Sequence, residues 1–159
     1  DYYRNSDTQT PINCIELSNT KEYIKNMFLL RAPAQTWNKI YRRSLFYEIE
    51  FPKGKLYEDA FTTYKLIDRA KKIVYSTTKL YYYRINPQSI LGQAFREKHL
   101  EMVEAFRSGM DYFNQKGECA IGETFLPPLL MREIYCWWGV RQVLKKRGLA
   151  QKIIKDYTM

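Results

Sequence analysis

The sequence predicts an α/β protein that is predominantly helical, with a few short strands before residue 92 and a helical tail after it. Three observations support this fold class. Apolar residues recur every three or four positions in several segments, which is typical of amphipathic helices. Short runs rich in β-branched and aromatic residues lie only between the first and last of these segments. The 159 residues, 45% of them hydrophobic, are enough to form a core.

The first helix is predicted just after residue 18. Residues 1–18 are polar and lack periodicity, so we expect an irregular lead-in. Asn19 followed by Glu22 forms the pattern of a capping box, and Pro33 should end the helix. Its predicted apolar face consists of Tyr23, Ile24, Met27 and Phe28.

The middle of the chain predicts short strands around one helix. After a helical turn at 42–46, residues 48–51 alternate like a strand and lead into a loop that contains Pro52 and Gly54. The spacing of Phe61, Tyr64 and Ile67 predicts a helix over 58–70. Residues 72–76 and 79–84 then predict two more strands, and Asn86-Pro87 closes the second.

Two helices are predicted in the tail. The first carries Val103, Phe106, Met110 and Phe113 and should stop at Gly117. The second starts at 127–128, where two prolines suit a first helical turn, and ends before Gly148. Its predicted apolar side chains are Leu130, Ile134, Trp137 and Leu144.

Charge and rare residues narrow the function classes. A net charge of +9 favours anionic partners such as nucleic acid, phosphorylated small molecules or acidic lipid headgroups. The single histidine, His99, argues against a Ser-His-Asp triad and a His-rich metal site, and its polar neighbours predict a solvated helix position. Fourteen tyrosines offer flat faces with hydroxyl tips, which suit sugar rings as well as half-buried surfaces.

The cysteines and the hydropathy pattern bear on location. Cys14, Cys119 and Cys136 are odd in number and widely spaced, so a disulfide framework or zinc site is not expected and a reducing compartment fits. No apolar run approaches the length of a transmembrane helix. We therefore expect a cytoplasmic protein, with a peripheral position at the inner face of the cell membrane as a further expectation.

The most informative stretch is the loop at 51–57 followed by Glu58 and Asp59 at the start of a predicted helix. The free N–H groups and the dipole of a helix N-terminus favour an ionised carboxylate there. Such a group can act as a general base or bind a cation, and it can equally be an ordinary helix cap. The pair by itself leaves these alternatives open.

Three separated segments together resemble one family. They read WNKIYRRSLF, then FPKGKLYEDAFTTYKLIDRAKKI, then LYYYRINPQSI, and the resemblance covers about residues 36–91. In this order and spacing they are similar to the second half of bacterial family 2 glycosyltransferases, which are GT-A-type enzymes that build surface polysaccharides and glycoconjugates. The resemblance implies an inverting transfer of a sugar from a nucleotide-sugar donor to a glycan or lipid-linked acceptor.

The resemblance also implies roles for individual residues. Asp59 matches the general base that takes a proton from the acceptor hydroxyl, and Glu58 matches a residue that positions the acceptor or supports the loop. Charge-assisted hydrogen bonds from Lys39 or Arg84 would suit a leaving diphosphate. The predicted substrate-binding residues are Trp37, Asn38, Lys39, Tyr57, Arg84 and Ser89, of which Trp37 and Tyr57 offer rings on which a sugar can stack. Many relatives carry a basic residue where this chain has Asn86, so contacts there are not transferred.

One part of the family pattern is missing from the chain. No Asp-x-Asp sequence occurs, and no parallel β-α-β pattern precedes residue 20. We therefore expect a C-terminal fragment of a larger enzyme, inactive alone, whose divalent metal (Mg or Mn) binds in the missing half. Residues 1–92 would form the acceptor-side half of a GT-A-like domain, and residues 93–159 a helical region packed on it.

Basic residues and tryptophans in the tail indicate which partners it could bind. From Arg141 to Lys155 there are six basic residues and no acidic one, and Trp137 and Trp138 lie just before them. Residues 137–155 thus suit an anionic membrane surface, and a solvated helix packed by its Trp side explains them equally well. Self-association through an exposed sheet edge or apolar face is a further expectation.

An alternative function is a basic, aromatic-rich binding module without catalysis, for nucleic acid or an anionic membrane surface. Acidic residues are spread along the chain, and no zinc-finger, RNP-like or helix-turn-helix pattern occurs. We therefore expect no nucleic-acid partner.

Overall fold

The computed structural model describes residues 14–17, 19–29, 32–76, 78, 80–84, 89 and 95–147. The chain divides into two compact units. Unit 1 comprises residues 1–52 and 59–93, and unit 2 comprises residues 53–58 and 94–159. The described part of the chain is predominantly helical, as the sequence predicts.

Unit 1 contains two strands and two α-helices among its described residues. Strand β1 is Cys14–Leu17 and helix α1 is Thr20–Phe28, followed by a 3₁₀ turn at Arg43–Phe46. Helix α2 is Glu58–Arg69, with all but its first residue in this unit, and strand β2 is Ile73–Ser76. The strands pair antiparallel, with Cys14 opposite Ser76 and Leu17 opposite Ile73.

The first helix begins as the capping pattern predicts. The Asn19 side chain accepts a hydrogen bond from the Glu22 backbone N–H, with N···O 2.9 Å. This bond satisfies one of the free donors of the first turn and contributes about 1 kcal/mol to helix stability. The helix ends at Phe28, before Pro33, whose carbonyl accepts a hydrogen bond from the Tyr23 hydroxyl.

The core of unit 1 forms where the apolar faces of α1 and α2 are buried. The Phe28 and Tyr64 rings lie 6.1 Å apart, and Lys21 pairs with Asp68, whose side chain is almost fully buried. Burial of each large apolar side chain contributes about 1.5–3 kcal/mol. The buried residues of the two helices are Tyr23, Ile24, Met27, Phe28, Phe61, Thr62, Thr63, Tyr64, Leu66 and Ile67.

The regular secondary structure of unit 2 is all helical among its described residues. A 3₁₀ turn at Glu97–Leu100 leads into helix α3, Glu101–Gln115. Helix α4 is Cys119–Gly122, a second 3₁₀ turn is Glu123–Phe125, and helix α5 is Leu126–Arg147. A Cβ added at Gly109 would lie 2.0 Å from the Phe125 ring, so a glycine is required at this helix contact. The core of this unit includes Ala105, Phe106, Phe113, Ile121, Phe125, Leu129 and Cys136.

Several predicted elements are wrong. Within the lead-in, Cys14–Leu17 is a strand because β2 completes its hydrogen bonds; the rest of 1–18 lies outside the described residues. Residues 48–51 form no strand: Glu48 has φ 57°, and the Ile49 N–H donates to the Phe46 carbonyl, which continues the preceding turn. Of 79–84, residues 80–84 are described and form no strand. Local alternation does not supply the neighbouring strand that a sheet needs.

Two predicted surfaces are also wrong. His99 is 6% exposed rather than solvated, because its ring packs in the unit 2 core. The last helix begins at Leu126, close to the predicted start, yet its predicted apolar side chains Leu130, Ile134 and Trp137 are 55–62% exposed. Leu129 and Cys136 are buried instead, because α5 is apolar on more than one face and periodicity does not indicate which face packs.

Candidate functional site

The two carboxylates lie in the first turn of α2. Glu58 is its first residue and is exposed; Asp59 follows and is half-buried. The Asp59 Oδ1 accepts a hydrogen bond from the Ala60 backbone N–H, with N···O 2.8 Å. Negative charge in a first turn is stabilised by the free N–H groups and the helix dipole. The pair therefore has the electrostatic setting that the sequence predicts for it.

The backbone that leads into α2 is conformationally demanding. Tyr57 has φ 60° and Gly54 has φ 75°, both in the left-handed region. Glycine adopts that region freely, whereas an L-residue such as tyrosine pays about 1–2 kcal/mol for it. Such a conformation persists only when surrounding contacts impose it. The residue directly before the two carboxylates is thus held in a strained conformation.

Within unit 2, the segment 53–57 is bonded to the start of α3. The Leu56 backbone N–H donates to Glu101 Oε2, with N···O 2.6 Å. Lys55 Nζ pairs with Glu104 Oε2 at 2.5 Å, and this hydrogen bond raises the pKa of Lys55. Lys98 Nζ lies 3.5 Å from the Gly54 carbonyl oxygen. These contacts connect each successive residue from Gly54 to Leu56 with the same short stretch of unit 2.

Tyr57 packs into an aromatic cluster of unit 2. Its ring centroid lies 6.3 Å from that of His99, whose ring stacks on Phe95 at 5.4 Å. Burial raises the pKa of Tyr57, and the nearby Arg132 guanidinium partly offsets this effect. The His99 Nδ1 accepts the Arg96 backbone N–H at 2.9 Å, which orients the imidazole. The predicted substrate ring at Tyr57 is therefore half-buried and packs against His99, which the sequence predicted to be solvated.

Trp37 lies in an exposed aromatic platform of unit 1. Its ring stacks on Tyr83 with centroids 4.9 Å apart and lies 4.6 Å from Tyr81. Trp37 keeps 42% of its surface exposed, so part of the indole is open to a ligand. Stacked aromatic faces suit the apolar face of a sugar ring. The structure thus brings the first and third resemblance segments together.

Asn38 and Lys39 form a local hydrogen-bonded turn. Lys39 Nζ donates to the Gln35 carbonyl at 2.5 Å and to Asn38 Oδ1 at 2.8 Å. Burial lowers the pKa of Lys39 to about 8, and the negative charge of Asp59 partly opposes that shift. Lys39 and Asp59 are therefore close enough to interact electrostatically in unit 1. In such a pair the cation can bind an anionic group and the carboxylate can accept a proton.

Buried hydroxyls that the sequence analysis missed lie near Asp59. Burial raises the pKa of Tyr41 to about 12, and a hydrogen-bonding interaction with Thr63 partly offsets this. Nevertheless, the hydroxyls of Tyr41, Thr62 and Thr63 lack a hydrogen bond of good geometry among the described residues. Thr63 follows Asp59 by four residues, so both project from one side of α2. That spacing is the signal from which Thr63 could have been predicted.

The remaining predicted residues are not brought to Asp59 by any described contact. Arg84 is exposed and Ser89 is half-buried. Within the described part of the chain, no hydrogen bond, ion pair or ring contact joins either of them to another predicted site residue. Asn86 lies outside the described residues. Their roles stay predictions.

The described residues do not provide a metal centre. No group of three or more His, Cys, Asp or Glu side chains in that part of the chain is arranged to hold an ion. Nor does any helix among the described residues combine the length and apolar content needed to cross a bilayer.

Two curated proteins are similar to part of the chain. "Putative glycosyltransferase EpsH" of Bacillus subtilis is 36% identical over 86 residues, which are 51% of this chain and 25% of that protein. "Glycosyltransferase GlyA" of Streptococcus pneumoniae is 37% identical over 67 residues, or 42% of this chain and 10% of that protein. The chain thus spans at most about a quarter of the length of these relatives. No protein-family model and no solved structure matches it. Over about half of its length, the chain is related in sequence to glycosyltransferases.

Proposed function

We propose that this chain is the acceptor-side portion of an inverting, family 2, GT-A-type glycosyltransferase. The observation that carries the proposal is the Asp59 carboxylate in the first turn of α2, close to the Lys39 ammonium group. The sequence relationship to two glycosyltransferases and the exposed platform at Trp37 support the same function. The donor is a nucleotide sugar, and the acceptor is a glycan or lipid-linked sugar of a bacterial surface polysaccharide.

The proposed chemistry is a single displacement. Asp59 accepts the proton of an acceptor hydroxyl while the hydroxyl oxygen forms a bond to the anomeric carbon. The bond from that carbon to the nucleoside diphosphate breaks, and the diphosphate leaves with the electron pair. Lys39 and Arg84 provide positive charge for the diphosphate, and Glu58 and Ser89 orient the substrates. Trp37 and Asn38 contact the sugar.

Asp59→Asn in the full-length protein tests the base. The amide keeps the size of the carboxylate but does not accept the proton, so kcat should fall by about 10²–10⁴-fold while donor affinity is retained. Transfer is measured as nucleoside diphosphate release from a panel of nucleotide sugars. Asp111→Asn, an exposed carboxylate on α3, is the matched control and should leave kcat unchanged. Near-normal transfer by Asp59→Asn would refute the role.

A peripheral membrane position is proposed for α5. Its exposed apolar face contains side chains that are 42–67% exposed. The Arg141 guanidinium lies 5.3 Å from the Trp137 ring centroid, and Lys145, Lys146 and Arg147 follow in the same helix. Exposed apolar and aromatic side chains in a helix that also carries basic residues complement an anionic lipid surface, where lipid-linked acceptors are held. This face consists of Leu126, Leu130, Met131, Ile134, Trp137 and Trp138.

A further inference from the structure

We infer that Glu101 is a positioning residue: through its hydrogen bond to Leu56, it holds the segment 53–57 in the conformation that presents Glu58 and Asp59. This inference rests on the proposed function for its catalytic consequence. Glu101 does not touch the reacting atoms, and neither the curated relatives nor the resemblance assigns it a role. It is the first residue of α3, far along the chain from the carboxylates.

Among the contacts of the segment 53–57, the hydrogen bond to Glu101 is the strongest candidate for holding its conformation. A backbone N–H donating to a carboxylate at 2.6 Å is a short, charge-assisted hydrogen bond, which is stronger than one between neutral groups. The neighbouring Lys55–Glu104 pair is solvent-exposed, and such ion pairs contribute little. Lys98 contacts the Gly54 carbonyl only at 3.5 Å. Glu101 therefore provides the strongest of these three restraints on the segment.

The backbone conformation shows why a restraint is needed. Tyr57 adopts φ 60°. An L-residue keeps this conformation only when surrounding contacts impose it. The backbone N–H of Leu56, the residue before Tyr57, is hydrogen-bonded to Glu101, and the Tyr57 ring contacts His99. The segment 53–58 also clusters with unit 2, although the residues before and after it belong to unit 1. Release of Leu56 would let φ of Tyr57 relax and would turn the first residues of α2.

The positioning role predicts effects on turnover rather than on donor binding. A displacement of a catalytic group by about 1 Å can cost up to a hundredfold in rate. Glu101→Ala should therefore lower kcat about tenfold to a hundredfold, with the KM for the nucleotide sugar within about twofold. Glu101→Gln keeps an acceptor oxygen for the Leu56 N–H and should restore most of the loss.

The matched control is Glu97, which is exposed and whose side chain makes no hydrogen bond or ion pair with another described residue. It lies four residues before Glu101, so Glu97→Ala and Glu97→Gln make the same chemical changes nearby. Both should transfer sugar at the unmodified rate. A loss in Glu97→Ala equal to that in Glu101→Ala, or no recovery in Glu101→Gln, would overturn the inference.

A second measurement separates this inference from the proposed function. Amide hydrogen exchange at Leu56 reports the restraint directly and requires no activity. Exchange should accelerate about tenfold or more in Glu101→Ala, less in Glu101→Gln, and not at all in Glu97→Ala. Unchanged exchange at Leu56 in Glu101→Ala refutes the restraint. If exchange accelerates while Asp59→Asn still transfers sugar, the restraint stands and the assignment of the base fails.

Discussion

Lys39 and its neighbours show how burial and charge compete at single residues. Burial disfavours the ammonium group, whereas Asp59 favours it, and the first effect is larger. The same burial raises the pKa of Tyr41 and Tyr23 to about 12. These groups make the stability of unit 1 depend on pH in opposite directions.

The lowered pKa of Lys39 predicts that the free energy of unfolding rises with pH. Its pKa is 10.5 when unfolded and about 8 when folded, so between these values the unfolded state binds more protons. The free energy of unfolding should then increase from pH 8 upward. Above pH 10 the two tyrosines act oppositely, because their folded pKa values are higher than 10.0. Urea unfolding at pH 7.5–9.5 measures the slope, which should be smaller in Lys39→Met. An equal slope in the two proteins would contradict the prediction.

Substitution of Gly117 should lower the free energy of unfolding through backbone strain alone. It has φ 74° just after α3, and a Cβ there would meet no atom within 4 Å. Gly117→Ala should therefore lower the free energy of unfolding by about 1 kcal/mol through strain without a clash. Gly117→Asn should lose less, because asparagine tolerates the left-handed region. Urea denaturation measures both, with Gln115→Ala in regular helix as control. A loss in Gln115→Ala as large as that in Gly117→Ala would refute this explanation.

At the scale of elements, α2 and α3 show which sequence patterns were sufficient. The spacing of Phe61, Tyr64 and Ile67 predicted α2, and Gly117 marked the end of α3; both are confirmed. The strand predicted at 48–51 and the described part, 80–84, of the strand predicted at 79–84 were wrong, because a strand exists only where another strand completes its hydrogen bonds. Local periodicity is enough for a helix, whose backbone bonds lie within the segment.

The exposed face of α5 predicts lipid binding that depends on its apolar side chains. The double variant Leu130→Ser/Ile134→Ser should weaken binding to vesicles of mixed neutral and anionic lipid at least tenfold, because two exposed apolar side chains no longer enter the interface. Co-sedimentation with vesicles of graded anionic content is the measurement. Val74→Ser changes an exposed apolar residue of β2 and should have no effect.

Two results would contradict the proposed membrane surface. Binding that does not depend on anionic lipid would remove the role of the basic residues near Trp137. A concentration-dependent dimer in equilibrium sedimentation that disappears in the double variant would make a second copy of the chain the partner of this face.

At the scale of the whole molecule, the net charge of +9 favours anionic partners, and the proposed diphosphate donor and the proposed lipid surface are both of this kind. Composition alone does not distinguish an enzyme from a binding module. The sequence relationship to glycosyltransferases, which covers about half of the chain, favours the enzyme. Glu58 belongs to unit 2 and Asp59 to unit 1.

The sequence by itself determined helices α1, α2, α3 and α5, the Asn19 cap and the absence of Asp-x-Asp. These features depend on hydrogen bonds and spacings within single segments. Only the tertiary structure decided that β1 pairs with β2, that His99 is buried, that α5 turns Leu130 outward and that Glu101 reaches Leu56. Each of these joins segments distant in sequence, and the burial and bonding that select such contacts are properties of the packed chain, not of any one stretch of it.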